Sequence, residues 1–141
     1  MSILGIDVGT KRIGVAISDP NDAFAMPLTV IEHTNTRADI DAIVQLAADH
    51  QASEVVVGDP VAMSGQRGIA AERIDRFVQA LARRFPGIVH RIDERLTTAQ
   101  ATKTLIGADV SRSKRKLVVD KLAASLILEM FLTRRKNTLP F

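Results

Sequence analysis

The stretch Ile3-Leu4-Gly5-Ile6-Asp7-Val8-Gly9-Thr10-Lys11-Arg12-Ile13-Gly14-Val15-Ala16-Ile17-Ser18-Asp19 decides the fold. Two apolar runs, Ile3 to Val8 and Ile13 to Ser18, flank a short turn rich in glycine. The pattern predicts a β-hairpin in which Gly9 supplies a positive φ. A strand that is apolar on both faces is a buried strand. In its midst stands one carboxylate, Asp7, and a buried ionised carboxylate is costly unless it is paired or holds a cation. Asp7 therefore has two readings: a side-chain cap for the hairpin turn, or a ligand for a metal at the end of a central strand.

Outward from the hairpin, Pro27 to Glu32 reads as a third strand, with Pro27 at its start where no ladder donor is lost. Thr34-Asn35-Thr36 offers an N-cap, and Ile40, Ile43, Val44 and Ala47 follow at helical spacing to about Gln51. Glu54 to Gly58 is a β-branched run that stops at Asp59-Pro60, since proline cannot continue a central ladder. Residues 60–68 have no periodicity and read as a loop over the end of the sheet. A second helix carries Ala70, Ile74, Phe77, Val78 and Leu81 and ends near Phe85-Pro86-Gly87. Ile88 to Ile92 is a fifth strand, with Asp93-Glu94 at its far end. Leu96 opens a helix that fades around Gly107. Residues 109–116 read as a basic connection, and a last helix runs from about Lys114 to Arg134. The order β-β-β-α-β-α-β-α-α predicts an α/β fold: a mixed five-stranded sheet with helices on both faces. Residues 1–135 form one domain in this reading, and 136–141 a loose C-terminal tail.

The bulk numbers narrow the chemistry. A chain of 141 residues suits one core. It has no cysteine and three histidines (His33, His50 and His90), so Cys- or His-based metal sites are disfavoured. A metal here would be bound through oxygen, which favours Mg²⁺ or Mn²⁺. No apolar run approaches the ~20 residues of a membrane span, and the apolar N-terminal run lacks a preceding basic segment. A cytoplasmic protein is expected, with no membrane partner. Charge is unevenly spread: residues 1–82 hold 6 Lys/Arg against 11 Asp/Glu, and residues 83–141 hold 13 against 5. A basic half of that kind is an electrostatic footprint for a polyanion.

Ligand sites in open α/β sheets gather at the carboxyl ends of strands. Asp7 ends the first strand, and Asp93 or Glu94 ends the fifth. Asp120 flanks an apolar stripe early in the last helix and should face the sheet; otherwise it forms a weak helix ion pair with Lys116. Three carboxylates brought together repel one another unless divalent cations neutralise them. Two such cations can activate a water and stabilise the leaving oxygen of a phosphodiester.

Four stretches carry a family resemblance: Gly5 to Ala16, Val56-Val57-Gly58, Asp93-Glu94-Arg95-Leu96-Thr97-Thr98, and Lys114-Arg115-Lys116 with Val119 to Ala124. In order and spacing they resemble the YqgF/RuvX family, a bacterial group with a ribonuclease H-like fold, described as Holliday junction resolvases and as pre-16S ribosomal RNA nucleases. The resemblance implies Asp7, Glu94 and Asp120 as the catalytic and metal-binding acids, with Asp93 as the substitute for Glu94. It implies cleavage of a phosphodiester by water with Mg²⁺ or Mn²⁺; since Mg²⁺ held by a few carboxylates is weakly bound and borrows substrate phosphates, two ions are expected to arrive with the substrate. This sequence departs from the family in one loop, where Asp59 stands in place of an apolar residue and Ala62 in place of an asparagine. Asp59 is then either a fourth metal ligand or a turn residue before Pro60, the second being favoured.

Lys11 and Arg12 in the hairpin turn, Arg95, Arg112, Lys114, Arg115 and Lys116 are the candidate contacts to a nucleic-acid backbone. The chain has no Trp or Tyr, which argues against a stacking platform for single strands. The leading reading is a metal-dependent endonuclease in 5′-end processing of precursor 16S ribosomal RNA, acting as a monomer or homodimer. The alternatives are a Holliday junction resolvase, which must be a symmetric dimer to cut two strands, and a non-catalytic nucleic-acid-binding assembly factor. A phosphotransferase ranks lower, because 141 residues leave no room for the second domain of the sugar kinase and actin group.

Overall fold

The computed structural model describes residues 2–19, 21, 24–59, 68–93 and 112–138, with residues 70, 112–121 and 137–138 described by their backbone alone. Five strands form one sheet: β1 (Ser2–Val8), β2 (Arg12–Ser18), β3 (Ala25–Glu32), β4 (Ala52–Asp59) and β5 (Ile88–Asp93). Their spatial order is β3-β2-β1-β4-β5, with β1 at the centre. The β1–β2 and β2–β3 pairs are antiparallel, whereas β4 and β5 run parallel to β1 and β4. Three helices complete the described elements: α1 (Thr36–Asp49), α2 (Ile69–Arg84) and α3 (Arg112–Thr138). The expected mixed sheet with helices on both faces is what forms. The helix expected from Leu96 to Gly107 and the loop at 60–67 lie outside the described residues.

Strand alternation sorts the core into two layers. Leu4, Ile6, Val55 and Val57 pack with Ile40 and Ile43 of α1 and Ile74, Phe77 and Leu81 of α2. Ile3, Ala16, Val56 and Ile92 pack with Ala123, Ala124, Ile127, Leu128 and Leu132 of α3. The helix starts follow from the sequence: the Asn35 side chain accepts from Ala38 N at 2.9 Å and caps α1. The basic run at 112–116 belongs to α3 and is not a connection, consistent with the high helix propensity of Lys and Arg.

The hairpin turn and the start of β3 depart from expectation. Gly9 is needed for space, and its φ lies outside the left-handed region. A Cβ there would stand 2.6 Å from the Arg12 carbonyl oxygen, which accepts the Gly9 N–H that closes the hairpin at 2.9 Å. β3 begins at Ala25, so Pro27 falls inside it, opposite Ala16, where the register shifts. An edge strand with a local irregularity tolerates the missing donor.

Arg135 pins the far end of α3. Its Nη1 and Nη2 donate to Glu54 Oε2 and Oε1 at 3.0 and 2.6 Å, and its guanidinium lies 4.7 Å from the Phe131 ring centroid. His90 Nε2 meets the same Glu54 Oε1 at 2.8 Å. These bonds, Arg135's foremost, hold the Glu54 carboxyl at about 2 against its ordinary 4.5, although burial pushes the other way. A lowered carboxylate stabilises the fold above its unfolded value and loses that contribution as pH falls through its folded value. Glu54→Gln is therefore expected to cost about 1–3 kcal/mol at pH 7. In urea unfolding at stepped pH, the gap between wild type and variant should close from about pH 4.5 down to about pH 2. A gap that stays constant over that window would remove Glu54 as its source.

Candidate functional site

Asp7 is the penultimate residue of β1 and is 3% exposed. By alternation it shares a face with Ile3 and Gly5, the face covered by α3. Its partner on β2 is Gly14; on β4, the step after Ile6↔Val57 brings up Gly58. The carboxylate thus stands between two glycines, with no side chain from either neighbouring strand above it. That cradle, with an oxygen donor at its floor, suits a hard divalent cation and its waters. His90 is bound to Glu54, and Glu54 lies beside Ile3, about 13 Å down the strand from Asp7. No imidazole competes at this end on that face.

The direction of α3 brings its early turns to the same place. Arg135 meets Glu54 at the start of β4, and further up the sheet Ala124 and Leu128 cross Gly5. A Cβ on Gly5 would stand 2.7 Å from Leu128 Cβ and 2.9 Å from the Ala124 carbonyl oxygen. Asp120 lies one turn before Ala124, and Asp7 two residues after Gly5. One helical turn and two strand residues both span about 6 Å. The Asp120 backbone is therefore carried toward the Asp7 end of β1. Its side chain, and Glu94 as a whole, lie outside the described residues. Among the described residues, no three acidic or His side chains form a metal cluster.

Asp59 and Asp93 are register partners on the opposite face, with Val57 and Arg91. There Arg91 Nη2 donates to Asp59 Oδ2 at 3.0 Å and to Asp75 Oδ1 of α2 at 2.6 Å. Arg91, held by Asp59, ties the sheet to α2 on the side away from Asp7. Of the basic candidates, Lys11 is exposed in the hairpin turn, and Arg12 Nε bonds Glu32 Oε1 at 3.3 Å. Arg95 is outside the described residues, and Arg112, Lys114, Arg115 and Lys116 are placed by backbone on the first turns of α3. Sequence reasoning missed Gly14 and Gly58 as the walls of the Asp7 cradle, because only strand pairing makes them neighbours. It also missed Arg73 of α2, whose Nη1 donates to the Gly9 carbonyl at 3.3 Å.

Known proteins resemble this chain over nearly its whole length. A family model described as "RuvX: Holliday junction resolvase" matches residues 1–134. A protein of Carboxydothermus hydrogenoformans named "Putative pre-16S rRNA nuclease" is 47% identical over 138 residues, covering 97% of this chain and 99% of its own. A protein of the same name from Thermoanaerobacter pseudethanolicus is 44% identical over 138 residues, covering 97% and 99%. Among solved structures, Thermus thermophilus RuvC in complex with a Holliday junction substrate superposes with a TM-score of 0.60 at 13% identity, covering 98% of each chain. That likeness establishes the ribonuclease H-like fold.

Proposed function

The chain belongs to the RuvX family, and from that premise we propose that it is a divalent-metal-dependent endonuclease that hydrolyses phosphodiester bonds in 5′-end processing of precursor 16S ribosomal RNA. The observation that carries the reading is the buried Asp7 carboxylate, set between Gly14 and Gly58 at the carboxyl edge of the sheet beneath the helix that bears Asp120. The relatives' names supply the substrate.

In this reading Asp7, Glu94 and Asp120 hold the metal. Asp93 is set aside because it shares the opposite face with Asp59, which leaves Glu94 as the acid from the end of β5. Bound Mg²⁺ or Mn²⁺ supplies charge neutralisation at the phosphate and a water of lowered pKa. The chain's own part is positional. Asp7 is held by its pairing with Gly14 on β2 and by the β1–β4 ladder that runs to Ile6↔Val57, and α3 closes over the strand at Gly5 and excludes water below the site. Lys11 and the basic first turns of α3 contact the strand's phosphates without reading bases. Among the described residues, no helix is long and apolar enough to cross a membrane.

The second reading, a Holliday junction resolvase, is favoured by the family description and by the fold shared with RuvC. A side-by-side assay separates the two. Labelled precursor ribosomal RNA and a labelled four-way DNA junction are incubated with Mg²⁺, with Mn²⁺ and with chelator. Cleavage of the RNA alone, lost in chelator and restored by Mn²⁺, is expected. Paired symmetric nicks in the junction alone would install the resolvase. Binding of both with cleavage of neither would leave an assembly factor.

A further inference from the structure

The edge that carries Asp7 has a second feature on its other face. A cavity of about 350 Å³ opens beside the β1–β2 turn, with Gly9, His33, Thr36, Asp39, Arg73 and Arg76 among its walls. Asp39 is 2% exposed and its charge is already engaged: it bonds His33 Nδ1 and accepts from Thr34 N at 3.2 Å. The charge left to the cavity is that of two guanidinium groups. Arg73 is half-buried and donates to a carbonyl, Gly9 O, and Arg76 is exposed. Among the described residues neither has a carboxylate partner, whereas Arg12, Arg84, Arg91 and Arg135 each meet one.

Two guanidinium groups without a carboxylate partner at the wall of one cavity call for an anion, and the planar donor fork suits phosphate oxygens. The cavity's wall includes Gly9, two residues beyond Asp7, so it lies around the end of the same strand. We infer that this cavity binds a backbone phosphate of the nucleic-acid strand whose scissile bond lies over Asp7, and thereby sets where along the strand the cut falls. This rests on the nuclease reading. The helix α2 then acts as the ruler of the site, and Asp39 and His33 keep its floor rigid.

The test measures binding of a labelled single-stranded RNA oligonucleotide in chelator by fluorescence anisotropy, over a series of salt concentrations. Wild type is compared with Arg73→Gln, Arg76→Gln and the double variant, each checked by thermal unfolding. The double variant should bind about tenfold more weakly. The slope of log affinity against log salt should shrink by about 0.7 for each lost phosphate contact. Arg76→Gln alone should show part of the loss with unchanged melting, since its side chain is exposed; it keeps the test decisive if Arg73→Gln folds poorly. Inorganic phosphate and AMP serve as competitors and should displace the RNA only at far higher concentration.

Equal affinity and equal slope in all four proteins would overturn the inference. So would tight AMP or phosphate binding that RNA does not compete away, which would give the cavity to a small phosphorylated ligand. Cleavage by wild type with Mn²⁺ is scored separately, by cut position. Cleavage with Arg-independent binding sinks the cavity proposal and leaves the nuclease. Arg-dependent binding without cleavage of any nucleic acid sinks the nuclease reading, and with it the assignment of the phosphate to a scissile strand.

Discussion

Asp7→Asn is expected to lower metal-dependent cleavage by at least about 10²- to 10³-fold, or roughly 3–4 kcal/mol of transition-state stabilisation. The amide is close to the carboxylate in size, so packing against α3 and the β1–β2 ladder should survive. What disappears is the anionic oxygen by which Asp7 would hold the proposed cation, between Gly14 of β2 and Gly58 of β4. The melting temperature should change little, since the packing is kept. Binding of RNA in chelator should change little. The decisive comparison is single-turnover cleavage by wild type and variant across a Mn²⁺ titration. Equal rates at every concentration would sink the assignment of Asp7 as a ligand.

The second large effect is predicted at Gly5. A side chain there must occupy space held by Leu128 Cβ at 2.7 Å and the Ala124 carbonyl at 2.9 Å, the latter being backbone that cannot rotate away. Gly5→Val is expected to cost about 1–3 kcal/mol of stability or more as an overpacked contact. Its effect on cleavage should exceed what unfolding explains. Lifting α3 off β1 by an ångström moves Asp120 relative to Asp7, and misplacement on that scale costs about 10²-fold. Cleavage measured well below the melting transition separates the two effects. Gly68→Ala is the control for added bulk, since a Cβ at Gly68 meets nothing within 4 Å; as the N-cap of α2 it should cost about 1 kcal/mol or less and leave cleavage well below the melting transition nearly unchanged. Gly5→Val with normal melting and normal cleavage would show that the close approach serves neither purpose.

Much of the fold was legible because its signals are local. Alternation and β-branching marked the strands, and Ile40, Ile43, Ile74, Phe77 and Leu81, spaced at helical period, are buried as expected. The boundary of α3 was not, since a run of Arg and Lys suits a helix as well as a charged loop. Asp7 stood out as a charge among apolar neighbours. The roles of Gly14, Gly58 and Arg91 could not be read, because each depends on which residue of another strand lies beside it. Arg91 reaches Asp59 and Asp75, 32 and 16 residues away, and nothing in the linear order announces either bond. Arg73 and Arg76 escaped for a related reason: a helix read for its apolar stripe yields the core and passes over the cations at its margin.

The proline in β3 has a consequence for the protein in a crowded solution. An outermost strand offers a row of amide groups on which another chain can continue the sheet, and β3 also exposes Met26 (47%) at that border. Pro27 withdraws one donor, and the shifted register beside it bends the line that an incoming strand would follow. The border where Pro27 sits is thereby a poor template for fibril growth, and replacing Pro27 with Val would hand the molecule an aggregation liability that its native fold avoids.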